Sequence, residues 1–110
     1  MNSYYTLKKS ENGKYHFSLH ASNHQIILVS QMYAEKRSAL EGIASVQKNG
    51  TKDERFERKI SKRDEPYFNL LAQNGQVIGA SEMYSSEPAR ENGIQSVITN
   101  CPTTVIKDLS

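Results

Sequence analysis

At 110 residues the chain is one domain's worth of sequence, and its recurring Ile, Leu, Val, Phe and Tyr suffice for a modest core, which excludes a disordered chain. No apolar run nears the ~20 residues of a bilayer span, Met1–Tyr5 shows no secretory signal, and the lone Cys101 can form no internal disulfide, so a soluble cytoplasmic protein is expected. The net charge of +2 is unevenly placed: residues 1–52 hold seven Lys/Arg against three Asp/Glu, residues 53–110 seven against nine, and neither half has the broad basic surface of a dedicated nucleic-acid binder.

The first expected element is a strand over Tyr4–Lys9, closed into a hairpin by Asn12-Gly13. Strict alternation follows. Tyr15, Phe17, Leu19 and Ala21 line one face of a second strand, and His16, Ser18 and His20 the other. Asn23-His24 stands at the next turn, before a third strand from Gln25 to Ser30. The period then changes to that of a helix over Glu35–Asn49, with Ala39, Ile43 and Val46 on one face and Asn49-Gly50 as its stop.

The same series then returns at an offset of 51 residues. Ala21-x-Asn23-x-Gln25-x-Ile27-x-x-Ser30-x-Met32-Tyr33 recurs as Ala72-x-Asn74-x-Gln76-x-Ile78-x-x-Ser81-x-Met83-Tyr84, and Gly42-Ile43-x-Ser45-Val46-x-x-Asn49 as Gly93-Ile94-x-Ser96-Val97-x-x-Asn100. The second copy supplies a strand near Arg55–Ile60 and a loop at Arg63-Asp64-Glu65-Pro66, expected to be wider than its counterpart. A strand pair follows, joined at Asn74-Gly75, and then a helix over Glu87–Asn100, capped by Ser86 with Pro88 in its first turn. Val105–Leu109 reads as a closing strand.

The chain is thus one domain, 1–110, built from β-β-β-α units at 1–52 and 53–110. One helix cannot cover three strands alone, so the α+β fold should join both units about a pseudo-twofold axis. One antiparallel sheet with both helices on the same face is expected. Gly42 and Gly93 in mid-helix cost about 1 kcal/mol each relative to Ala, which implies close approach of the helix backbone to a neighbour.

Tyr15-x-Phe17-x-Leu19, Asn23-x-Gln25-x-Ile27, Ser30, Tyr33 and Gly42-Ile43-x-Ser45-Val46-x-x-Asn49, with their second copies, resemble the hallmark of the YegP-like family, small bacterial proteins of unknown function. His24 stands where that pattern has Gly, and Asp64-Glu65-Pro66 where a Gly turn is usual. The resemblance implies a three-strand-plus-helix unit, single or in tandem, whose copies share one sheet and exchange terminal strands. It implies no reaction and no catalytic residues.

No residue pattern points to a chemistry. His16 and His20 lie about 13 Å apart on a strand, too far to share a zinc ion, and neither they nor His24 recur in the second copy, so no metal or other cofactor is expected. Cys101 follows a helix C-terminus, which should raise its thiol pKa. Gly-x-Ser-x-Gly and phosphate-binding Gly-rich loops are absent, and Ser30, Ser45, Ser81 and Ser96 lack a repeated His or Asp beside them. The one candidate surface is the outer sheet face, where Tyr4, Lys8, His16, His20, Arg55, Lys59 and Tyr67 mix cations with rings. The reading is a non-enzymatic binding module, a monomer with an internal pseudo-dimer and no membrane partner. It engages a protein at a sheet edge or face, or nucleic acid weakly. The alternative is a small enzyme or metabolite binder at the repeat junction.

Overall fold

The computed structural model describes residues 3–110; Met1 and Asn2, which open the stretch read above as lacking a signal, lie outside them. The elements are β1 (Tyr4–Lys9), β2 (Tyr15–His20), β3 (Ile26–Val29), α1 (Lys36–Asn49), a 3₁₀ turn (Asp53–Arg55), β4 (Phe56–Ile60), β5 (Pro66–Leu71), β6 (Val77–Ala80), α2 (Glu87–Asn100) and β7 (Ile106–Asp108). All seven strands form one sheet in the order β4-β5-β6-β3-β2-β1-β7.

The two units meet where β3 pairs antiparallel with β6, and the registered pair is Val29 with Ala80. These residues are 51 apart, the offset of the repeat itself. A residue that faces its own equivalent marks the pseudo-twofold axis, so the duplication in sequence is the symmetry of the sheet. Six strands are antiparallel, as expected. β7 is not: it runs parallel to β1, pairing Tyr5 with Ile106 and Leu7 with Asp108, and the sheet is therefore mixed.

Alternation decides the core. Tyr5, Leu7, Phe17 and Leu19 from the first unit and Phe56, Phe68 and Leu70 from the second project to one face, where Ala39, Ile43, Val46, Ile94 and Val97 of the helices cover them. Each helix spans both units, α1 packing on β2, β5 and β6, and α2 on β5, β3 and β2. The core is shared, and neither unit has one of its own.

Turn chemistry explains the hairpins. Gly13 and Asp64, again 51 apart, both take positive φ, +83° and 62°. Ser10 N–H donates to Lys14 O and Gly13 N–H to Ser10 O at 2.8 and 3.0 Å, and Ser61 and Asp64 repeat this with Glu65 O and Ser61 O at 2.9 and 3.0 Å. The wider loop expected at Arg63–Pro66 is therefore corrected: Asp tolerates the left-handed conformation well enough to keep the tight turn. His24 does the same at φ 71°, in the place of Gly75. α2 begins as expected, with Ser86 Oγ accepting from Ala89 N–H at 3.2 Å, whereas α1 has no side-chain cap.

Gly42 and Gly93 lie over tyrosine hydroxyls. A methyl at Gly42 would stand 2.5 Å from Tyr33 Oη and 2.8 Å from Phe17 Cε2, and one at Gly93 would overlap Tyr84 Oη. Tyr33 and Tyr84 each stack on a core ring, Phe17 and Phe68, at 6.2 Å and 12°. The helices thus sit on a tyrosine–phenylalanine stack that only glycine clears.

Candidate functional site

The helix-free sheet face is organised by register. One row of neighbours crosses every strand, Glu57–Asn69–Ala80–Val29–Ser18–Thr6–Lys107. Tyr4 pairs with His20 and Lys8 with His16 in β1–β2, while Lys59 pairs with Tyr67 in β4–β5. Three strand spacings of about 4.8 Å, roughly 14 Å, separate β2 from β5. The expected cations and rings therefore form separate doublets at the two ends of the face.

Arg55 is not on this face, which corrects the expectation. It belongs to the 3₁₀ turn that carries the chain from α1 into β4, so strand alternation begins only at Phe56. Its Nε–H instead donates to Asn49 Oδ1 at 3.1 Å, at the end of α1.

Tyr4 is on the face but closed. His20 stacks on it at 4.6 Å and 10°, from the β2 side. Lys107 Nζ, from β7 on the other side, lies 3.9 Å from its ring centroid. Tyr4 Oη and His24 Nδ1 share a hydrogen bond of 2.9 Å, and His20 Nε2 bonds Thr6 Oγ1 at 3.2 Å. Only 8% of Tyr4 is exposed, so it offers no ring to a nucleic-acid base. Sequence reasoning missed His24 and Lys107 here, because their approach depends on a turn conformation and on the parallel docking of β7. A cleft of about 380 Å³ lies beside the cluster, lined by Tyr4, His24, Val105 and Lys107. On the same face His16 Nδ1 is buried without a hydrogen-bond partner.

Between the doublets the face is apolar. Ile26 and Val29 of β3 are 39% and 38% exposed, and Leu71, Val77 and Ala80 lie half-buried on β5 and β6.

The polar residues repeated in both units serve the fold. Ser30 Oγ accepts from Phe17 N–H at 2.9 Å and donates to Gln31 O, and Ser81 does the same for Phe68 N–H at 3.0 Å and Glu82 O. Asn49 Nδ2–H donates to Ser45 O and Asn100 Nδ2–H to Ser96 O, at 2.9 and 2.7 Å, satisfying helix-end carbonyls. Burial pushes the Tyr33 and Tyr84 hydroxyls above their ordinary pKa, with Glu82 adding to the effect at Tyr84. Cys101 is fully buried, and that burial pushes its thiol up to about 11; the direction is the expected one, but desolvation is the cause.

At the repeat junction, Glu41, Ser45, Lys48 and Asn49 of α1 face Ala72, Gln73 and Asn74 of the β5–β6 turn across an open groove of about 440 Å³.

Comparison with known proteins accords with this duplicated architecture. The family described as "Domain of unknown function (DUF1508)" matches residues 10–57 and again 61–108, the same offset of 51. The UPF0339 protein YegP of Yersinia pestis is 56% identical over 97% of this chain and 96% of that protein, and a UPF0339 protein of Acinetobacter baylyi 50% identical over 100% and 99%. The solution NMR structure of UPF0339 protein SO3888 from Shewanella oneidensis superposes with a TM-score of 0.93 at 50% identity, covering 99% of this chain and 92% of that one. That of yegP from E. coli, a protein of unknown function, gives 0.94 at 42% identity, covering 99% and 94%. Two matched repeats and full-length relatives make this chain a tandem member of the uncharacterised DUF1508 (UPF0339) family.

Proposed function

We propose that the chain is a non-enzymatic interaction module whose uncovered sheet face receives another protein. The observation that supports this is the apolar ground at the pseudo-twofold axis, Ile26 and Val29 with Leu71, Val77 and Ala80, where the solvated face of an antiparallel sheet is ordinarily polar. The doublets Lys8–His16 and Lys59–Tyr67 form its polar border. A polar rim around an apolar centre suits a protein partner better than a phosphate backbone. Nucleic acid would be held weakly, without base preference. Lys8, Lys59 and Lys107 give about three phosphate contacts and a log–log salt slope of roughly −2 on single strands, while Glu57 opposes them.

The test is affinity capture with the parent chain and with Val29→Lys, before and after nuclease treatment. A protein retained by the parent, lost by V29K and indifferent to nuclease supports the reading. Equal retention by both chains, or retention that nuclease abolishes, overturns it. The junction groove favours a second reading, a small polar metabolite held between α1 and the β5–β6 turn. Amide shifts at Ser45, Lys48 and Asn74 on adding metabolite mixtures would mark it.

A further inference from the structure

The outer strands of the six-stranded antiparallel part are β1 and β4, and among the described residues only β1 is flanked by a further strand, β7. On β1, Tyr5 N–H donates to Val105 O at 2.9 Å, and Leu7 O accepts from Leu109 N–H at 2.8 Å, so the backbone groups of Tyr5 and Leu7 point outward into β7. The pseudo-twofold equivalents on β4 are Phe56 and Arg58, in matching register: Phe56 pairs with Leu70 as Tyr5 pairs with Leu19. No strand among the described residues lies beyond β4. Phe56 N–H is taken by Asp53 O of the 3₁₀ turn. Phe56 C=O, both backbone groups of Arg58 and, by alternation, those of Ile60 face outward.

The side chains along this edge form a self-complementary series. β4 reads Phe-Glu-Arg-Lys-Ile, with an acidic residue before the central Arg58 and a basic one after it. Laid antiparallel on a second copy and centred on Arg58, Glu57 stands opposite the partner's Lys59. Phe56 meets the partner's Ile60 on the helix side of the sheet, and Ile60 is otherwise 49% exposed. Each pairing occurs twice by symmetry. The one like-charged pair is Arg58 with the partner's Arg58, and each guanidinium already carries Glu91 at 2.9 Å and Asp53 at 3.0 Å. The centre also fits the hydrogen-bond phase, because a residue that faces outward on both copies can exchange two bonds with itself.

We propose that two copies of this chain pair antiparallel through β4, centred on Arg58, joining their seven-stranded sheets into one. Charged edge strands ordinarily repel other edges. Here the signs are divided so that an unrelated edge, or a parallel approach, is opposed while the antiparallel self-pairing is matched. The inference rests on the edge alone and is independent of what occupies the sheet face.

The test is sedimentation velocity over a concentration series at low and high salt. The parent should show a monomer–dimer equilibrium that weakens with salt. Glu57→Lys or Lys59→Glu sets like charges opposite one another twice and should weaken the dimer by about tenfold or more. The double variant E57K/K59E restores opposite signs and should restore the dimer. Far-UV circular dichroism checks that each variant is folded, and both positions lie on the exposed part of β4. A parent that stays monomeric at its highest concentration in low salt overturns the proposal. So does an E57K that dimerises like the parent, or a double variant that does not recover.

Discussion

Replacing Gly42 with Ala tests the packing that the repeat keeps in both units. In an open helix the change would gain about 1 kcal/mol of propensity. Here the new methyl meets Tyr33 Oη at 2.5 Å, Phe17 Cε2 at 2.8 Å and Tyr33 Cζ at 2.9 Å. Tyr33 is half-buried and can swing partly outward, but Phe17 is only 1% exposed, stacked on Tyr33 and edge-to-face with Tyr5, so it cannot yield freely. Overpacking of this kind costs about 1–3 kcal/mol. The expected net loss is about 1 kcal/mol, a fall in melting temperature of roughly 4 °C for a domain of this size. Tyr33→Phe removes the nearest atom, so G42A should be less costly in the Y33F background, while the Phe17 contact keeps recovery incomplete. Gly93→Ala should behave alike against Tyr84. Urea titration followed by far-UV circular dichroism measures each term of the cycle. A G42A chain as stable as the parent would refute the argument, because it would show that the stack yields without cost.

Ser30→Ala and Ser81→Ala each strand a strand amide, Phe17 N–H or Phe68 N–H, and should cost about 1–3 kcal/mol apiece. Nearly equal losses in denaturant titration are expected, and one silent variant would break the equivalence of the units. On acidification the hydrogen bond from Lys36, at 2.5 Å, holds the Asp108 carboxyl down from an ordinary 3.8 to about 2, and Arg58 lowers that of Glu91. Because both folded-state values are depressed, their contributions are present above the ordinary carboxylate range and lost as pH falls toward 2. Asp108→Asn should therefore flatten the acid limb of stability against pH, and an unchanged limb would exclude the Lys36 pair as its cause. A chain ending at Lys52 should be unfolded or self-associated in sedimentation and denaturant titration, since α1 loses β5 and β6 and the β3 edge is laid open. A cooperative monomer would contradict the shared core.

Much of the fold was legible because its determinants are local. Phe17, Leu19, Phe68 and Leu70 alternate, Ser86 and Pro88 announce α2, and the 51-residue offset implies the axis that Val29 and Ala80 then mark. What escaped depends on long-range placement. Nothing in Val105–Leu109 states whether the strand enters parallel or antiparallel, since that is decided by how the chain leaves α2. Asp64 reads as part of a wide loop until its left-handed conformation is seen. Arg55 has the right parity for the outer face, but the 3₁₀ turn breaks the alternation one residue before it would count. The covering of Tyr4 by Lys107 and His24 likewise depends on contacts between residues far apart in sequence.

The comparison of copies separates what the fold needs from what the chain has been free to change. Positions that agree, such as Ser30 with Ser81, Gly42 with Gly93 and Asn49 with Asn100, share an equivalent contact within each unit. Some positions that disagree lie where the surroundings of the two units cannot be the same. Near the axis Leu28 meets Gly79, its own equivalent, and a Cβ on Gly79 would come within 2.9 Å of Leu28 Cγ. Two leucines there would collide, so a knob and a hole are possible only because the units are joined in one chain and can differ. At the edges Leu7 is buried under β7, whereas its equivalent Arg58 is turned to Asp53 and Glu91 on a strand with no cover. A pseudo-symmetric sheet extended by β7 on one side and ending in the charged β4 on the other is an asymmetric object. Its interactions are to be sought at the residues that the repeat does not conserve.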